Sequence, residues 1–424
     1  MILNINHRNK PVKRTICLPG DKSIAQRAII LASIAEGKST LRNVPLSDDC
    51  LAVIKCIKQL GVKTELTGQT LAIYGNGRNG LRKPSKPLNV GESGTAARLL
   101  TGLLAGQRFT SVITGKKTLL KRPMNRVIEP LSLMGANIKS KGGRLPLKIY
   151  PATLKGIKYT MPMASAQVKS AILFAGLYAD GETVVREKIP TRDHTERLLR
   201  LMSRSNPKSE IRNPKLRAVD IQIPGDFSSA AYFIAAGLLV PGSDIIIKNV
   251  GLNPYRIGLL TVLKKMGSAV SCILHPASCI HGSEPIGNVR VRFSSLRGVT
   301  ISGKMIPSLI DEIPILALIA TQARGTTIIK GAGELRVKET DRINAIVTEL
   351  AKLGADIKET SDGMIIKGPT KLHGASCVSH NDHRMAMTLS IAGLIAEGVT
   401  RIQGAEVVNK SFPSFWKSIE CRQR

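Results

Sequence analysis

The sequence predicts an α/β protein of two domains, built from six copies of a βαβαββ unit of about 70 residues each. Three observations support this class. An apolar, helix-like run that ends in a small residue and Gly, and continues into a β-rich segment, recurs six times. A helix-like run that closes in Leu-Gly or Met-Gly, followed by two strands, recurs between these copies. The 424 residues also exceed the usual size of one domain, so two lobes are the simplest expectation.

The first repeated pattern consists of a helix, a glycine and a strand. Its copies are LASIAEGKSTLRNV, TGLLAGQRFTSVITG, FAGLYADGETVVREK, IAAGLLVPGSDIIIKNV, ALIATQARGTTIIKGA and IAGLIAEGVTRIQGA. Each glycine is expected at a helix C′ position, where a positive φ carries no Cβ penalty. These glycines are Gly37, Gly106, Gly181, Gly242, Gly325 and Gly398.

The second repeated pattern predicts a helix, a glycine turn and two strands. Its four clear copies are IKQLGVKTELTGQTLAIYG, LSLMGANIKSKGGRLPLKIY, LKKMGSAVSCIL and LAKLGADIKETSDGMIIKG. The third and sixth units carry weaker versions. The two patterns together account for the whole chain.

Polar or small residues stand before each of the six first helices, in N-cap and first-turn positions. The segments are GDKSIAQR, GESGTAAR, MASAQVKS, GDFSSAAY, IDEIPILA and NDHRMAMT. If the repeats pack around common axes, these helix N-termini point in similar directions and form an anion-binding surface. The simpler alternative is that the residues only cap their helices. Cations near helix starts oppose the helix dipole and favour a bound anion; they are Lys22, Arg27, Arg98 and Arg384.

The net charge of +32, from 62 Lys and Arg against 30 Asp and Glu, attracts anions of any kind. Charge alone leaves open a nucleic acid, a polyanionic metabolite or a generally basic proteome. Aromatic residues make up 3% of the chain, with a single tryptophan at Trp416, so surfaces on which bases could stack are scarce.

The seven cysteines are scattered and lack the paired spacing of zinc sites, which predicts a reducing compartment. The N-terminal segment has basic residues without an apolar run behind them, so neither a signal peptide nor a transit peptide is expected. The longest uncharged stretch, 227–243, contains Pro241 and two glycines and falls short of a membrane span. A cytoplasmic protein is expected.

Two motifs imitate well-known sites. GNGRNG at 75–80 matches the dinucleotide fingerprint, but the prolines in the following LRKPSKP exclude the helix that would hold a pyrophosphate. HNDHR at 380–384 offers two histidines and one aspartate without a fourth ligand, so no metal is expected there.

Two charged segments are candidates for chemistry. GELRVKETDR at 333–342 is either a solvated helix start or a functional cluster. Asp311 and Glu312 stand directly before an apolar run, where they either cap a helix or provide a partly desolvated general base.

Ten motifs, taken in order and spacing, resemble the EPSP synthase family along essentially the whole chain. They are LPGDKSIAQR, SGTAARLL, KRPMNRV, SAQVKSA, TRDHTERLL, IPGDFSSAAYF, LIDEIP, LRVKETDRI, NDHRMAM and NKSFPSF. SAQVKSA and TRDHTE are similar to the class II branch. The resemblance implies a two-domain inside-out α/β barrel with three repeats per domain. Residues 21–226 would form a shikimate 3-phosphate-binding domain, and 1–20 with 227–424 a domain carrying phosphoenolpyruvate and base residues.

The resemblance implies a shikimate-pathway reaction that leads to aromatic amino acids, in which the 5-OH of shikimate 3-phosphate adds to C2 of phosphoenolpyruvate and phosphate leaves. Arginines and lysines would supply the charge stabilisation, so no cofactor or metal is expected. Shikimate 3-phosphate would be held by Lys22, Ser23, Arg27, Ser165, Gln167, Arg192, Asp311 and Lys338. Phosphoenolpyruvate would be held by Lys22, Gly94, Thr95, Arg122, Gln167, Arg342, Arg384 and Lys410.

The family's proton transfers would fall to three groups. Asp311 would deprotonate the 5-OH, and Glu339, with Lys22 or Lys410 nearby, would protonate the enolpyruvyl methylene. His383 would be a hydrogen-bonding partner or a structural histidine. Glu92 departs from the family, which usually has asparagine there; it would pair with a neighbouring arginine or weaken phosphoenolpyruvate binding.

Three alternatives are weighed. The related enolpyruvyl transferase that acts on UDP-N-acetylglucosamine carries Asn after the first lysine and a loop cysteine, whereas this chain has Ser23 and no cysteine in GKKTLLKRPMNR. A basic nucleic-acid-binding protein would show steeply salt-dependent binding without turnover. A repeat scaffold would leave the ten motifs unexplained. The expected protein is a monomer with no nucleic-acid or membrane partner.

Overall fold

The computed structural model describes residues 1–8, 10–203, 210–211, 214–276 and 283–419. The chain divides into two compact units. We call Gly20–Pro224 with Cys279–Glu284 the inserted unit, and Met1–Pro19, Gly225–Ser278 and Pro285–Arg424 the split unit. A Pro-Gly pair, Pro19-Gly20 or Pro224-Gly225, stands at each of the first two changes of unit.

The secondary structure of the described residues alternates between helices and strands. The α-helices are α1 (Lys22–Ser33), α2 (Asp48–Gln59), α3 (Gly94–Ala105), α4 (Lys117–Leu120), α5 (Asn125–Leu133), α6 (Ala166–Gly176), α7 (His194–Ser203), α8 (Phe227–Leu239), α9 (Gly258–Lys265), α10 (Ile306–Leu309), α11 (Ile313–Thr321), α12 (Arg342–Lys352), α13 (His383–Ile395) and α14 (Phe415–Ser418). Gly333–Val337 and Ala405–Lys410 form 3₁₀-helices.

The strands are β1 (Ile2–Asn6), β2 (Lys13–Cys17), β3 (Glu36–Arg42), β4 (Lys63–Thr67), β5 (Thr70–Asn76), β6 (Leu88–Asn89), β7 (Ser111–Thr114), β8 (Asn137–Lys141), β9 (Arg144–Tyr150), β10 (Lys158–Met161), β11 (Thr183–Glu187), β12 (Glu210–Ile211), β13 (Asp220–Gln222), β14 (Asp244–Gly251), β15 (Val270–Leu274), β16 (Ile286–Arg292), β17 (Thr300–Ile301), β18 (Gly325–Ile329), β19 (Asp356–Thr360), β20 (Gly363–Gly368), β21 (Ser376–Val378) and β22 (Val399–Gln403).

In the described part of the inserted unit, the strands form three sheets with the orders β13-β3-β5-β4, β6-β7-β9-β8 and β10-β11-β12. Each sheet starts with a parallel pair, and its remaining strands are antiparallel to their neighbours. The helices α1, α3 and α6 precede the second strand of each sheet and are buried over most of their length. An apolar core contained within this unit surrounds them.

The split unit repeats this arrangement. The strand orders in its described residues are β15-β16-β14-β2, β17-β18-β20-β19 and β1-β22-β21. β2 is parallel to β14, β17 to β18 and β21 to β22, and the other pairings are antiparallel. The buried helices α8, α11 and α13 take the places of α1, α3 and α6, and an apolar core contained within this unit surrounds them.

The predicted fold class, six βαβαββ repeats with three in each half, is confirmed. The first strands of two repeats come from distant parts of the chain, because β13 pairs with β3 and β2 pairs with β14. The third and sixth repeats have three strands in their described sheets, where the others have four. This matches the weaker second pattern that the sequence gives for those two repeats.

The buried helices begin with the expected caps in five of six cases. Asp21, Ser93, Ser165, Asp226 and Asp382 each accept a hydrogen bond from a backbone N–H of the first helical turn. The exception is α11, whose N-cap residue Glu312 makes no such bond and instead accepts one from the Ser228 hydroxyl. Five of the buried helices therefore have capped N-termini.

The repeated glycines adopt the expected conformation at a different place. All but Gly106 have a positive φ, between 69° and 98°, but they lie at or just before the following strand instead of at helix C′. Gly106 is itself the C-cap of α3, with φ −92°. The predicted C′ position is wrong for all six: Gly106 lies one residue earlier, and the other five helices end before the glycine, which makes the turn into the strand.

In the described residues no helix begins at GNGRNG, since β5 is followed by turns, extended chain and the short strand β6 up to α3. A Cβ at Gly75 would lie 2.3 Å from the Ala35 carbonyl oxygen, so close packing explains this glycine. The predicted lack of a helix directly after the motif is confirmed. Among the described helices, none combines the length and apolarity needed to cross a membrane.

Candidate active site

In the inserted unit, the first turn of α1 presents Lys22 and Ser23. Asp21 caps the helix by accepting from the backbone N–H of Ser23 and Ile24, which fixes the start of the helix. The Lys22 Nζ lies 3.2 Å from the Asp49 Oδ2, and Asp49 is buried in the first turn of α2. The ammonium group is thereby held beside the beginning of α1.

Arg27 is a buried cation one turn further along α1. Its guanidinium donates to the Ser170 hydroxyl at 3.0 and 3.2 Å, to the Thr195 hydroxyl at 3.0 Å and to the Ser23 carbonyl oxygen at 2.8 Å. Its side chain therefore connects α1 with α6 and α7. These hydroxyl and carbonyl oxygens orient the fork without adding a carboxylate charge.

A second group in the inserted unit surrounds the start of α3. Arg98 donates to the Gln167 Oε1 at 2.9 Å, and the Gln167 Nε2 donates to the Thr95 hydroxyl at 2.9 Å. A Cβ at Gly94 would lie 2.8 Å from a terminal nitrogen of Arg98 and 2.9 Å from one of Arg122. The absence of a side chain at Gly94 thus allows two guanidinium groups to approach one helix start.

Ser165 and Arg192 occupy two further positions in this unit. Ser165 caps α6 by accepting from the Val168 backbone N–H. Arg192 is partly buried and stands in the segment between β11 and α7.

In the split unit, Asp311 lies beside two arginines from distant parts of the chain. Its Oδ1 is 3.6 Å from a terminal nitrogen of Arg342 and 3.4 Å from one of Arg384. Asp311 retains 20% side-chain exposure, whereas Arg342 retains 1% and Arg384 6%. Burial alone would lower the pKa of Arg384, but Asp311 and other nearby acidic groups raise it, so the guanidinium stays charged.

Lys338 and Glu339 lie immediately before α12. The Glu339 Oε2 accepts from Arg342 at 2.6 Å, and the Lys338 Nζ lies 3.2 Å from the Glu334 Oε1. Burial lowers the pKa of Lys338 below its ordinary value, although Glu334 opposes this shift. A cation and a carboxylate from neighbouring positions thus join the group around Arg342.

Sequence reasoning missed Asp382, which holds this group together. Asp382 is fully buried; it caps α13, and its Oδ2 accepts from the Arg342 Nε at 2.6 Å. The NDHR motif marked the helix start but gave no sign of the bond to Arg342. The next residue, His383, is also buried, with its Nδ1 3.7 Å from the Asp382 Oδ1.

Lys410 ends the 3₁₀-helix that packs against α13, and it is buried. A second missed residue is Arg256, whose guanidinium donates to Asp226 at 2.8 Å and to Ser228 at 3.1 Å. Ser228 in turn donates to Glu312, the neighbour of Asp311. No sequence motif marked Arg256, because its partners Asp226 and Ser228 lie at the start of α8, about 30 residues earlier in the chain.

Two alternative chemistries, a metal centre and a reactive thiol, find no support among the described residues. Among the described residues, no cluster of three or more His, Cys, Asp or Glu could hold a metal ion. Cys50 is close to Lys22, but burial raises the pKa of its thiol to about 12, so the thiol is protonated at neutral pH.

Comparison with known proteins decides the family. The sequence pattern described as EPSP synthase (3-phosphoshikimate 1-carboxyvinyltransferase) matches residues 7–419. The chain belongs to the EPSP synthase family. This membership identifies it as an enzyme, a carboxyvinyltransferase, and confirms the resemblance inferred from the ten motifs.

Individual relatives agree with this family. A 3-phosphoshikimate 1-carboxyvinyltransferase of Desulforamulus reducens is 47% identical over 417 residues, covering 96% of each chain. Its counterpart in Geobacillus kaustophilus is 48% identical over 413 residues, covering 95% of this chain and 96% of the relative. The solved EPSP synthase of Acinetobacter baumannii is 40% identical, with a TM-score of 0.87 and coverage of 99% of this chain and 98% of that one. The enolpyruvyl transferase NikO of Streptomyces tendae, at 16% identity and a TM-score of 0.79, shares the fold.

Proposed function

We propose that the chain transfers the enolpyruvyl group of phosphoenolpyruvate to the 5-OH of shikimate 3-phosphate and releases phosphate, with the residue roles described below. The activity follows from the family and from relatives named for it, which favour this acceptor over UDP-N-acetylglucosamine. The proposed proton transfer is supported mainly by the position of Asp311 beside Arg342 and Arg384. A carboxylate that can take a proton lies next to guanidinium groups that can bind an anion.

Shikimate 3-phosphate requires cations for its phosphate and carboxylate, and polar groups for its hydroxyls. Arg27 supports this role because its fork is oriented by hydroxyl and carbonyl oxygens, and Ser23 and Ser165 stand at capped helix starts. The proposed ligands in the inserted unit are Lys22, Ser23, Arg27, Ser165, Gln167 and Arg192. Asp311 and Lys338 of the split unit complete the set.

Phosphoenolpyruvate requires guanidinium groups in a fixed array. Gly94 and Thr95 allow close approach at the start of α3, where Arg122 lies near Gly94 and Gln167 binds Thr95. In the inserted unit the proposed ligands are Lys22, Gly94, Thr95, Arg122 and Gln167. In the split unit they are Arg342, Arg384 and Lys410.

The proposed chemistry has two stages. Asp311 accepts the proton of the 5-OH as its oxygen bonds to C2 of phosphoenolpyruvate, and Glu339, with Lys22 or Lys410, delivers a proton to the methylene carbon. A methyl-bearing tetrahedral intermediate results. Glu339, now a carboxylate, then takes back a methyl proton, the double bond reforms as the C2–O bond to phosphate breaks, Asp311 returns its proton to the phosphate, and the positive groups stabilise the departing phosphate.

We also propose that the protein acts as a cytoplasmic monomer without a nucleic-acid partner. Free thiols at described positions, such as Cys50, Cys56 and Cys377, are consistent with a reducing compartment. Light scattering after gel filtration measures the mass directly, and 45.7 kDa is expected. A larger mass, or co-purifying nucleic acid that resists high salt, would contradict this part.

Phosphate release from phosphoenolpyruvate tests the function. Release is expected with shikimate 3-phosphate and is not expected without an acceptor or with UDP-N-acetylglucosamine. Absence of release by folded protein would overturn the proposed activity.

A further inference from the structure

A buried lysine on α6 lies close to the proposed shikimate 3-phosphate ligands; it belongs to the SAQVKSA motif, but none of the proposed roles uses it. Lys169 retains 2% side-chain exposure. Its Nζ lies 2.7 Å from the Glu187 Oε2 and 2.8 Å from the Glu196 Oε1, and it donates to the Thr191 carbonyl oxygen at 3.3 Å. One ammonium group thus contacts three places along the chain.

These three contacts enclose the segment that carries Arg192. Glu187 is the last residue of β11, Glu196 lies in the first turn of α7, and Thr191 stands directly before Arg192. The Thr191 hydroxyl also donates to the Glu187 carboxylate, so the two ends of the segment 187–191 are joined by a hydrogen bond. The backbone next to Arg192 is therefore fixed to α6 through Lys169.

The same network reaches Arg27. Ser170, the residue after Lys169, and Thr195, the residue before Glu196, both accept from the Arg27 Nε. The Thr195 hydroxyl also donates to Ser170 at 2.8 Å. Any shift of α7 relative to α6 would therefore displace the oxygens that orient Arg27.

A buried ion pair of this kind is weak evidence for stability, because removing charged groups from water costs free energy that their attraction often only offsets. Burial alone would lower the pKa of Lys169, yet Glu196 and Glu187 raise it, so the ammonium stays charged. A group that is fixed, charged and directed at the backbone beside a ligand-bearing segment is suited to positioning.

We infer that Lys169 is a positioning residue for shikimate 3-phosphate, acting through the segment 188–193 on Arg192 and through α7 on Arg27. This inference rests on the proposed roles of these two arginines. It predicts a specific kinetic pattern: loss of Lys169 weakens use of shikimate 3-phosphate and leaves phosphoenolpyruvate binding at Gly94 and Arg122 unaffected.

The test is a double-mutant cycle of Lys169→Met and Arg192→Ala, read as KM for each substrate and as kcat. Lys169→Met is expected to raise KM for shikimate 3-phosphate about tenfold, with KM for phosphoenolpyruvate within about twofold of wild type. The double variant should raise KM by less than the product of the two single effects, because the part of the effect that passes through Arg192 is lost with Arg192 while the part through Arg27 remains. Lys169→Arg, which keeps the charge, should recover part of the loss.

Two further variants separate positioning from general destabilisation. Lys169→Met leaves two carboxylates without the ammonium, so Lys169→Met/Glu196→Gln is measured alongside it. Arg42→Met, which removes the exposed Arg42–Asp220 pair between β3 and β13, is the matched control and should change neither KM. Thermal unfolding verifies that each protein is folded.

The outcomes distinguish this inference from the proposed function. If Arg192→Ala raises KM for shikimate 3-phosphate but Lys169→Met and Lys169→Met/Glu196→Gln leave it unchanged, the inference fails and the role of Arg192 stands. Fully additive effects, equal increases in KM for both substrates, or failure of Lys169→Met and of Lys169→Met/Glu196→Gln to fold also overturn it. If Arg192→Ala has no effect, the proposed role of Arg192 fails, and the inference fails with it.

Discussion

Arg27 of the inserted unit and Arg342 of the split unit, both buried and both proposed as ligands, have different hydrogen-bond partners. In the inserted unit, Arg27 is oriented by hydroxyl and carbonyl oxygens from three helices or their neighbouring turns. In the split unit, Arg342 is bound by the carboxylates of Asp382 and Glu339, and Arg384 lies beside Asp311. Neutral acceptors fix a guanidinium without adding negative charge, whereas carboxylates place proton acceptors next to it. With the roles proposed above, this difference corresponds to a division of labour: anion binding by Arg27 in the inserted unit, and proton transfer with anion binding around Asp311 in the split unit.

The largest expected effect is on turnover, after loss of the general base in the split unit. Asp311→Asn keeps the shape of the side chain but removes its ability to take a proton. We expect kcat to fall by about 10²- to 10⁴-fold, the usual contribution of a positioned base. Steady-state phosphate release measures this. A kcat within a few-fold of wild type would contradict the proposed role of Asp311 as general base in the split unit.

The next effect is on acceptor binding in the inserted unit. Arg27→Lys keeps the charge but loses the fork that contacts Ser170 and Thr195. We expect KM for shikimate 3-phosphate to rise roughly 10- to 100-fold, because hydrogen bonds to charged groups contribute about 1.5–3 kcal/mol. An effect confined to kcat, in protein with unchanged thermal unfolding, would contradict the division between the units.

A smaller effect concerns the space beside Gly94. Gly94→Ala adds a Cβ that would meet terminal nitrogens of Arg98 and Arg122 at under 3.0 Å, so these flexible side chains must move. We expect KM for phosphoenolpyruvate to rise roughly tenfold, a loss of about 1.4 kcal/mol, without loss of folding. Gly303→Ala is the control, since its nearest neighbour would be an ordinary contact at 3.4 Å. Equal behaviour of the two variants would contradict the assigned role of Gly94.

The smallest expected effect is on the pH profile of kcat/KM for shikimate 3-phosphate, whose alkaline limb should lie at a lower pH than for an ordinary lysine. Because burial lowers the pKa of Lys338, its ammonium loses the proton at a lower pH than an ordinary lysine, and the cation is fully present only below that pKa. The kcat/KM for shikimate 3-phosphate, which reports groups of the free enzyme, should therefore fall on the alkaline side before pH 10.5. Lys338→Arg, whose guanidinium stays charged, should move this limb to higher pH. An unmoved limb would mean that another group causes it.

Local signals in the sequence predicted much of the fold. Apolar periodicity and recurrent glycines predicted the repeats, and small polar residues predicted caps such as Asp21 and Asp226, because both depend on neighbours in the chain. The glycine positions were misplaced by a few residues, since a helix can end before the residue with positive φ. Gly37, for example, lies inside β3, beyond the end of α1.

The site residues could be predicted from the sequence only where they lie within the ten motifs. Asp311 and Arg384 were named from their motifs, but the contact between them depends on two buried helices, α11 and α13, packing in the same core. Asp382, Arg256 and Lys169 were missed as functional candidates because their roles depend on long-range hydrogen bonds. Buried polar networks of this kind leave no periodic trace in a sequence.

Calorimetric titration of shikimate 3-phosphate into Asp311→Asn and Arg27→Lys compares the two units most directly. The division of labour predicts that Asp311→Asn binds shikimate 3-phosphate about as tightly as wild type, or more tightly because a negative charge has been removed, while it turns over poorly. Arg27→Lys should bind it much more weakly. Loss of binding in Asp311→Asn together with unchanged binding in Arg27→Lys would contradict the account.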